Sequence, residues 1–552
     1  MRQGGRILAD HLAAYGVDRV FSVPGESFLA ALDGLYERGI PNIVCRHEGG
    51  AAMMAEATGK LTGRPGVAFV TRGPGATNAA AGVHVARQDS TPMILFVGQI
   101  ARGHRDREAF QEIDYRQVFG GLAKWATEID QVERLPEYIS RAFHVAMSGR
   151  PGPVVLALPE DMLTDLADVP DLPPPALPAS QVAPAQAEAV AALLRGAERP
   201  LVVVGGPHWD AAAAAELQGF AESWGLPVAV SFRRQDRLDN RLSCYVGDLG
   251  VGGNPKLQAR LKAADLILAI GTRFGDIVTG GYEIVDPAHP PRLVHVHADA
   301  GELGRVFRPE LAVQATAPAM VAALAALTPP NARPWAEWAA QARAEYQAWQ
   351  KPVATPGAVR MEEVIGYLAE TLPDDAVVTN GAGNYAAFLH RYYRYRRPGT
   401  QLAPTSGSMG YGFPAAIAAK LHDPAKVVVC LAGDGCFQMT LNEMSTARQH
   451  GAAVITIVAN NGRYGTIRMH QEREYPGRVS GTDLFNPDYA ALARAYGGHG
   501  ETVTAQDELP AAFARAQASG LPAVIELRLD PQMLTTGQTV DQVRAAALAR
   551  KA

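Results

Sequence analysis

Short, continuous apolar runs alternate along the whole chain with longer Ala- and Leu-rich stretches of helical periodicity. Runs without polar alternation predict strands that are buried on both faces of a sheet, and strands that alternate with helices predict parallel sheets. The clearest runs begin at Gly66, Met93, Val154, Leu201, Leu266, Leu293, Ala376, Val427, Ala453 and Ala523. The pattern therefore predicts an α/β protein built from doubly wound parallel sheets.

Two proline-rich segments, 168–178 and 328–334, interrupt this alternation. Proline continues neither a helix nor a central strand, so both segments predict linkers. A helical stretch at 335–349 follows the second segment. The chain of 552 residues is long enough for three or four domains of about 150 residues each. We expect three doubly wound domains, at 1–167, 185–328 and 357–552.

The charge balance argues against nucleic acid and membrane partners. Lys and Arg number 51 against 56 Asp and Glu, which gives a net charge of −5. This balance provides no basic surface for nucleic acid or an anionic membrane. The sequence has no apolar run of about 20 residues and no apolar signal core at its start, so we expect a cytoplasmic protein.

Two minor features of the composition have simple interpretations. The four cysteines, Cys45, Cys244, Cys430 and Cys436, lack the paired spacing of a metal site and are expected to be buried, reduced thiols. A basic and aromatic run at 390–397 has a texture that can bind nucleic acid. Because the chain is acidic overall, we interpret this run as a strand with a solvated edge.

Two strand ends carry the strongest chemical signal. The run from Val427 ends in Gly433-Asp434-Gly435, and the run from Ala453 ends in Asn460-Asn461-Gly462. Asp434 and Asn461 provide hard oxygen ligands suited to Mg²⁺, and the flanking glycines free backbone amides for phosphates. Each element alone could be an ordinary turn, since Gly, Asp and Asn favour turns. Their pairing, each directly after a buried strand, favours a magnesium and phosphate site.

This pairing resembles the metal–diphosphate signature of thiamine diphosphate enzymes, and the resemblance extends over nearly the whole chain. Four further segments are similar to motifs of that family: 46–59 around Glu48, 72–78, 148–154 and 407–416. Together they most closely resemble the acetohydroxyacid (acetolactate) synthase group. The resemblance implies a pyrimidine-binding domain, a central nucleotide-type domain and a diphosphate-binding domain.

The resemblance also implies the cofactors and the assembly. It implies thiamine diphosphate, and Mg²⁺ held by Asp434, Asn461 and the backbone carbonyl of Arg463. It implies a homodimer or a dimer of dimers, with active sites between chains. The residues that it assigns to cofactor binding are Pro24, Gly25, Glu48, Gly73, Thr77, Asn78, Arg273, Gly381, Ala382, Gly383, Asn384, Tyr385, Gly407, Met409, Gly433, Asp434, Gly435, Cys436, Asn461, Tyr464 and Gly465.

Glu48 is the principal catalytic candidate. The strand ending near Cys45 and the helix expected from Gly50 place it at a strand-to-helix turn. At that position it could simply be an acidic residue at a helix N-terminus, where its negative charge interacts favourably with the helix dipole. By resemblance, its carboxylate hydrogen-bonds the aminopyrimidine ring and thereby activates the thiazolium carbon.

Three further residues are assigned to catalysis. By resemblance, Met409 is the apolar wedge that bends the cofactor. Without the resemblance, the residue would be interpreted as an ordinary core methionine. The segment 109–112 resembles a synthase motif that lines the reaction pocket, so Gln111 is expected to donate a hydrogen bond to substrate; the alternative is a helix surface. His470 is a candidate pocket acid or base, because imidazole titrates near neutrality; a surface role is the alternative.

The central block contains glycines after two strands, in 203–207 and 269–276. These glycines suit a nucleotide, and Arg273 resembles a nucleotide-contacting arginine. The resemblance leaves FAD, ADP and no ligand open. The same glycines also fit a nicotinamide dehydrogenase, but that interpretation does not explain Asp434 and Asn461.

The chain departs from the synthase pattern at three positions. Synthases have tryptophan at the place of His470, lysine at Glu160 and glutamine at Gly49. These changes leave thiamine chemistry intact and bear on substrate choice. The predicted function is decarboxylation of a 2-oxo acid with carboligation, as in acetolactate synthase. The alternative is a lyase or decarboxylase for another 2-oxo or 2-hydroxyacyl substrate.

Overall fold

Three six-stranded sheets, each parallel throughout, form the framework of the protein. They are seen in a computed structural model that describes residues 1–551. Helices cover both faces of each sheet, so strands such as Met93–Gln99 and Leu266–Ile270 are buried along their whole length. The predicted α/β class with three doubly wound parallel sheets is confirmed.

The N-terminal part of the chain forms the first sheet. Its strands are β1 (Arg2–Gln3), β2 (Val20–Ser22), β3 (Asn42–Val44), β4 (Gly66–Val70), β5 (Met93–Gln99), β6 (Trp125–Glu128), β7 (Pro153–Pro159) and β8 (Leu166–Ala167). Its helices are α1 (Gly4–Ala14), α2 (Leu29–Arg38), α3 (Glu48–Thr62), α4 (Pro74–Asp89), α5 (Tyr115–Phe119), α6 (Leu135–Met147) and α7 (Glu160–Thr164). β1 and β8 form a separate antiparallel pair, and the other six strands lie in the order β3-β2-β4-β5-β7-β6.

The second sheet follows the first linker. Its strands are β9 (Pro200–Val204), β10 (Val228–Ser231), β11 (Tyr245–Leu249), β12 (Leu266–Ile270), β13 (Arg292–His297) and β14 (Leu311–Gln314). Its helices are α8 (Pro184–Arg195), α9 (Ala211–Trp224), α10 (Pro255–Ala263), α11 (Ala317–Ala325) and α12 (Ala336–Trp349). The strand order is β11-β10-β9-β12-β13-β14. The predicted helix at 335–349 is confirmed by α12.

The C-terminal part forms the third sheet. Its strands are β15 (Val377–Asn380), β16 (Gln401–Leu402), β17 (Val428–Gly433), β18 (Ile455–Asn460), β19 (His499–Val503) and β20 (Ala523–Arg528). Its helices are α13 (Met361–Thr371), α14 (Tyr385–Tyr392), α15 (Gly412–His422), α16 (Asp434–Gln438), α17 (Met444–Gln449), α18 (Gly465–Glu474), α19 (Tyr489–Ala495), α20 (Leu509–Ala518) and α21 (Val540–Lys551). The strand order is β16-β15-β17-β18-β20-β19.

The first and third sheets share one topology. Numbered within each sheet, both have the strand order 2-1-3-4-6-5, whereas the central sheet has the order 3-2-1-4-5-6. In such sheets the connections leave in opposite directions at one point, and the crevice beyond the strand ends there is the usual ligand site. The crevices lie between β2 and β4, between β9 and β12, and between β15 and β17. All three therefore mark places to look for ligands.

The first and third sheets are joined through their helices. α3 packs against α15, and Met53, Met54, Ala416 and Ile417 belong to one continuous hydrophobic cluster. The small side chains of α3 allow this close packing, because Ala and Gly make up seven of its 15 residues. The two outer parts of the chain therefore form one packed body along these helices.

One expectation from the sequence is wrong. The sequence predicts a strand with a solvated edge at 390–397, but His390 and Arg391 lie in the last turn of α14 and are buried. The four cysteines are buried and unpaired, as expected. None of the helices in residues 1–551 combines the length and the apolarity that a membrane crossing requires.

Candidate active site

A cavity of about 240 Å³ lies beyond the carboxyl ends of β15, β17 and β18, at the crevice of the third sheet. It brings together most of the residues that the sequence assigned to diphosphate and metal binding. Those that line it are Ala382, Gly383, Asn384, Tyr385, Gly407, Met409, Gly433, Asp434, Gly435, Cys436, Asn461, Arg463, Tyr464 and Gly465. Gly381 lies directly behind Cys436, since a Cβ there would be 2.5 Å from the thiol sulfur.

Asp434 provides the one acidic side chain of this cavity. Its carboxylate accepts hydrogen bonds from the Gly435 amide at 2.8 Å and the Gly462 amide at 2.9 Å. No cationic side chain of residues 1–551 forms an ion pair with it, and burial raises the pKa of its carboxyl above the ordinary value. A buried carboxylate without a countercharge is costly, so this position suits a cation.

Asn461 and Asn486 complete the oxygen-rich wall. Nδ2 of Asn461 points to the Met533 carbonyl at 3.4 Å, which leaves its Oδ1 as the remaining acceptor. Nδ2 of Asn486 donates to Asp434 at 2.8 Å and to Asn460 Oδ1 at 2.9 Å. Sequence reasoning missed Asn486, because no strand end or glycine motif marks its loop.

The opposite wall offers backbone amides. α14 begins at Tyr385 and α18 begins at Gly465, and both residues line the cavity. Helix N-termini present unpaired N–H groups and a partial positive charge, which suits phosphate. Asn384 is fixed between them, because its side chain donates to Leu534 O at 2.7 Å and accepts from Thr466 Oγ1 at 2.9 Å. Met409 is half-buried at the cavity wall, where an apolar wedge was expected.

The residues assigned to the pyrimidine ring lie elsewhere, at the crevice of the first sheet. Glu48 is the first residue of α3, and its Oε2 accepts a hydrogen bond from Asn78 Nδ2 at 3.0 Å. Glu48 is half-buried, whereas Pro24, Thr77 and Asn78 are exposed. Gly25 follows β2 and packs on the loop after β4, where a Cβ would lie 2.5 Å from Thr71 Cβ.

Gly73 and Gln111 are in direct contact in this first crevice. Gly73 has a φ of +59°, and a Cβ there would lie 2.8 Å from Gln111 Cβ. Gln111 itself has a φ of +66° and lies in a turn, so the alternative of a helix surface is wrong. A positive φ in a residue other than glycine is uncommon, and such strained residues cluster at active sites and ligand sites.

The two groups of residues do not meet within one chain. None of Pro24, Gly25, Glu48, Asn78 and Gln111 lines the cavity that contains Asp434. Each group instead opens at its own crevice, the first beyond β2 and β4 and the second beyond β15 and β17. A single chain thus carries two separate halves of the predicted site.

Two of the three departures from the synthase pattern have structural partners. Glu160 pairs with Arg72 at 3.2 Å, and Arg72 also pairs with Glu26 at 3.1 Å. The Gly49 amide donates to His47 Nδ1 at 3.0 Å, and a Cβ at Gly49 would meet that same nitrogen. His470 is exposed and lines none of the cavities described in this structure.

The crevice of the central sheet holds a second cavity, also of about 240 Å³. Gly206 and Gly271 cross at its base, where a Cβ on Gly206, which has a φ of +73°, would lie 1.9 Å from the Gly271 carbonyl oxygen. Arg273 lines this cavity together with Ser231 and Thr272. The predicted nucleotide residues therefore share one site.

Comparisons with known proteins agree with this arrangement. Residues 2–118 match the N-terminal TPP binding domain of thiamine pyrophosphate enzymes, residues 187–324 match their central domain, and residues 381–527 match their C-terminal TPP binding domain. Each match contains one of the three parallel sheets or most of it.

Similar proteins align over nearly the full chain. Over 96% of its length the chain is 31% identical to the acetolactate synthase isozyme 2 large subunit of Escherichia coli, of which the match covers 95%. It is 32% identical, over 95% of its length, to the acetolactate synthase large subunit of Parasynechococcus marenigrum, with 87% of that protein covered. It is also 32% identical, over 96% of its length, to the mitochondrial acetolactate synthase catalytic subunit of Saccharomyces cerevisiae, with 81% covered. The chain therefore belongs to the acetolactate synthase-like family of thiamine pyrophosphate enzymes.

Proposed function

We propose that the protein decarboxylates a 2-oxo acid and joins the remaining acyl unit to a second carbonyl compound. The observation that carries this proposal is the match to acetolactate synthases over at least 95% of the chain, with Glu48 and Asp434 both present. Bound thiamine diphosphate supplies the carbon nucleophile and the electron sink for this chemistry. The protein supplies binding, orientation and proton handling.

Asp434, Asn461 Oδ1 and the backbone carbonyl of Arg463 would hold Mg²⁺. The donor set fits, because it offers one buried, uncompensated carboxylate and neutral oxygens, and Mg²⁺ prefers such ligands together with phosphate oxygens. The N-termini of α14 and α18 would bind the diphosphate. Asn486 would orient Asp434 through its hydrogen bond.

Glu48 would hold the proton that is shared with the pyrimidine ring nitrogen. Gln111, whose backbone is strained, would donate a hydrogen bond to the substrate, and Met409 would pack against the cofactor as an apolar support. Such positioning and acid–base help are the contributions that a protein makes to cofactor chemistry. These roles require both halves of the site to meet.

We propose that the halves meet between two chains, in a homodimer or a dimer of dimers. Large apolar side chains flank both halves and are exposed: Phe110 is 75% exposed beside Gln111, and Phe485 is 99% exposed beside Asn486. Ile467, which lines the Asp434 cavity, is 54% exposed. Exposed apolar groups around a functional site mark an interaction surface. A second copy would cover them and bring Glu48 towards Asp434.

Phe485→Asp is expected to weaken self-association. Truncating or charging a buried interface aromatic costs at least about 2 kcal/mol, which is roughly a 30-fold rise in the dimer dissociation constant. Sedimentation velocity over a concentration series measures this constant. Tyr36→Asp is the control, because Tyr36 is 84% exposed on α2, away from both halves of the site. A fully active wild-type monomer at assay concentration would refute the shared site.

The affinity for thiamine diphosphate in the presence of Mg²⁺ is expected to fall as the pH is lowered. Burial raises the pKa of Asp434, so its carboxyl takes up a proton at a higher pH than an ordinary Asp. In the cofactor-free protein this raised pKa favours the folded state at low pH, and that contribution is lost as the pH rises through the folded-state pKa. Metal binding has the opposite dependence, because it needs the carboxylate.

Titrations of tryptophan fluorescence at a series of pH values measure this dependence. The control is the Mg²⁺ affinity of free thiamine diphosphate over the same range of pH, because phosphate groups themselves titrate at about pH 6. Binding that follows only the titration of the free cofactor would contradict a role for Asp434.

We also propose that the central cavity takes a nucleotide, FAD or ADP, with no ligand as the alternative. The close approach of Gly206 and Gly271 at the crevice, with Arg273 beside it, supports this assignment. An absorbance spectrum of the purified protein distinguishes a flavin from ADP. The domain boundaries 1–167, 185–328 and 357–552 remain our proposal, supported by the location of one sheet in each range.

A panel of 2-oxo acids tests the proposed function. Release of CO₂ and formation of a ligated product are measured together in the presence of thiamine diphosphate and Mg²⁺. Release of CO₂ without a ligated product would favour the alternative, a decarboxylase or lyase acting on another 2-oxo or 2-hydroxyacyl substrate.

A further inference from the structure

Eight arginines are buried within residues 1–551, and six of them have a carboxylate partner. The paired six are Arg72, Arg150, Arg234, Arg237, Arg260 and Arg468. Arg233 and Arg391 are the two that form no ion pair within residues 1–551. Both line the same cavity.

This cavity lies between the central and third sheets and measures about 710 Å³. It shares wall residues with the Asp434 cavity, among them Gly383, Asn384 and Thr466, so a ligand in it would lie beside the cofactor. Arg473 also lines it, and no Asp or Glu among residues 1–551 does. Its wall therefore carries three guanidinium groups and no compensating carboxylate.

The two buried arginines are held in place by neutral groups. Arg233 donates from Nη1 to the Pro404 carbonyl at 2.6 Å, and its Nε has no hydrogen-bond partner in residues 1–551. Arg391 donates to the carbonyls of Trp349 and Thr536, at 2.9 and 3.2 Å, and stacks on the Trp349 ring at 3.8 Å. Burial lowers the pKa of both groups, yet arginine stays charged in proteins.

The backbone of Arg233 is also strained, with a φ of +58°. Strain of this kind persists only where the surrounding structure holds it, and it is concentrated at ligand sites. His390 adds a further unsatisfied group, because its buried Nε2 has no partner in the described chain. An unpaired buried charge and an unsatisfied donor are both costly, so an incoming anion would be well matched here.

We propose that Arg233 and Arg391 form a binding site for a substrate carboxylate that is retained through the reaction. This inference rests on the proposed function for the identity of the ligand. The carboxylate that leaves as CO₂ loses its charge, so arginines placed on it would stabilise the ground state and slow the step. A retained carboxylate has no such penalty. It belongs either to the acceptor 2-oxo acid or to the far end of a dicarboxylic donor.

Binding of an inert probe tests the site without turnover. Succinate and acetate are titrated into the Mg²⁺- and thiamine diphosphate-loaded protein, and thermal melting records their binding. The wild type should be stabilised by at least one probe, and Arg233→Gln and Arg391→Gln should weaken its binding roughly 10- to 100-fold, as expected for loss of a charged hydrogen bond. Lysine at either position should restore part of the loss.

Arg260→Gln is the matched control. Arg260 is a buried arginine on α10, in the same central part of the chain as Arg233, but it pairs with Glu345. Its removal should therefore lower the melting temperature and leave probe binding unchanged. Arg233→Gln should show the opposite pattern, because no carboxylate loses a partner. Probe binding equal to that of the wild type in both Arg233→Gln and Arg391→Gln would overturn the proposal.

Kinetics then identify the source of the carboxylate. If it belongs to a dicarboxylic donor, Arg233→Gln should raise the KM for CO₂ release from that donor and leave kcat nearly unchanged. If it belongs to the acceptor, Arg233→Gln should keep the first-turnover burst of CO₂ and raise the KM for the acceptor in forming the ligated product, because the acyl unit must be transferred before the next donor can react. If no 2-oxo acid reacts with the wild type, the proposed function fails, whereas probe binding still decides whether these arginines form an anion site.

Discussion

Asp434→Ala is expected to abolish the Mg²⁺-dependent retention of thiamine diphosphate while the protein remains folded. Asp434 is the one carboxylate that lines the cavity, so without it the metal would have only neutral protein oxygens. We expect a loss of binding of at least about 100-fold, because a metal or charge pair in a buried site loses several kcal/mol with its partner. The Gly435 amide would lose its acceptor, at a cost of about 1–3 kcal/mol, whereas the Gly462 amide also donates to Asn460 Oδ1 at 3.1 Å and would keep that bond. That cost is smaller than the usual stability of about 5–15 kcal/mol.

Calorimetric titration of thiamine diphosphate, with and without Mg²⁺, measures this loss alongside thermal melting. Asp488→Ala is the control, because Asp488 lies in the same region and caps α19 through the Ala491 amide at 2.8 Å. It should lose about 1 kcal/mol of stability, as helix caps do, and keep full cofactor affinity. Tight, Mg²⁺-dependent binding by Asp434→Ala would show that the metal lies elsewhere.

The strands were predictable from the sequence because their information is local. The run from Ala453 to Val458 is apolar except for Thr456, and the structure places β18 at Ile455–Asn460. The residues directly after such strands inherit their position from the sheet, so Gly433, Asp434 and Asn461 could be assigned to one crevice in advance. To predict where these residues lie, it is enough to know where each strand ends.

Asn486 could not be found in this way. It reaches Asp434 from the loop before α19, and that contact joins residues 52 positions apart. Nothing in the local sequence distinguishes this asparagine from one in an ordinary turn. The pairing of Glu160 with Arg72, 88 positions apart, is hidden for the same reason. Contacts made by tertiary packing leave no periodic signal.

The error at 390–397 has a related physical cause. The acidic balance of the chain favours a solvated edge for one short basic run, and charged residues in general are rarely buried without a partner. The structure instead buries Arg391 on the Trp349 ring, where carbonyl oxygens take two of its hydrogen bonds. The positive charge of Arg391 can be read from the sequence, but the cavity that Arg391 lines cannot. Because Arg391 is buried without a carboxylate partner, its position indicates a site for an anionic ligand.

Glu48→Gln is expected to remove most catalytic activity and leave folding and cofactor binding nearly intact. Glu48 is the first residue of α3, and Asn78 Nδ2 holds its Oε2 at 3.0 Å, so the side chain is oriented before any ligand enters. Glutamine keeps the shape and can still accept this hydrogen bond, but it cannot hold the proton that a carboxylate shares with a ring nitrogen. Loss of acid–base help typically costs about 10²–10⁴ in rate.

The competing explanation makes a different prediction. If Glu48 were only a helix-start acid, Glu48→Gln would lose about 0.3–1 kcal/mol of stability and little activity. Glu137→Gln calibrates that outcome, because Glu137 lies in the first turn of α6 in the same part of the chain and is exposed. The decisive measurement is hydrogen–deuterium exchange at the thiazolium carbon of bound cofactor. If exchange in Glu48→Gln is as fast as in the wild type, another residue activates the cofactor. If exchange is slow and the melting temperature is unchanged, Glu48 holds the proton that is shared with the ring nitrogen.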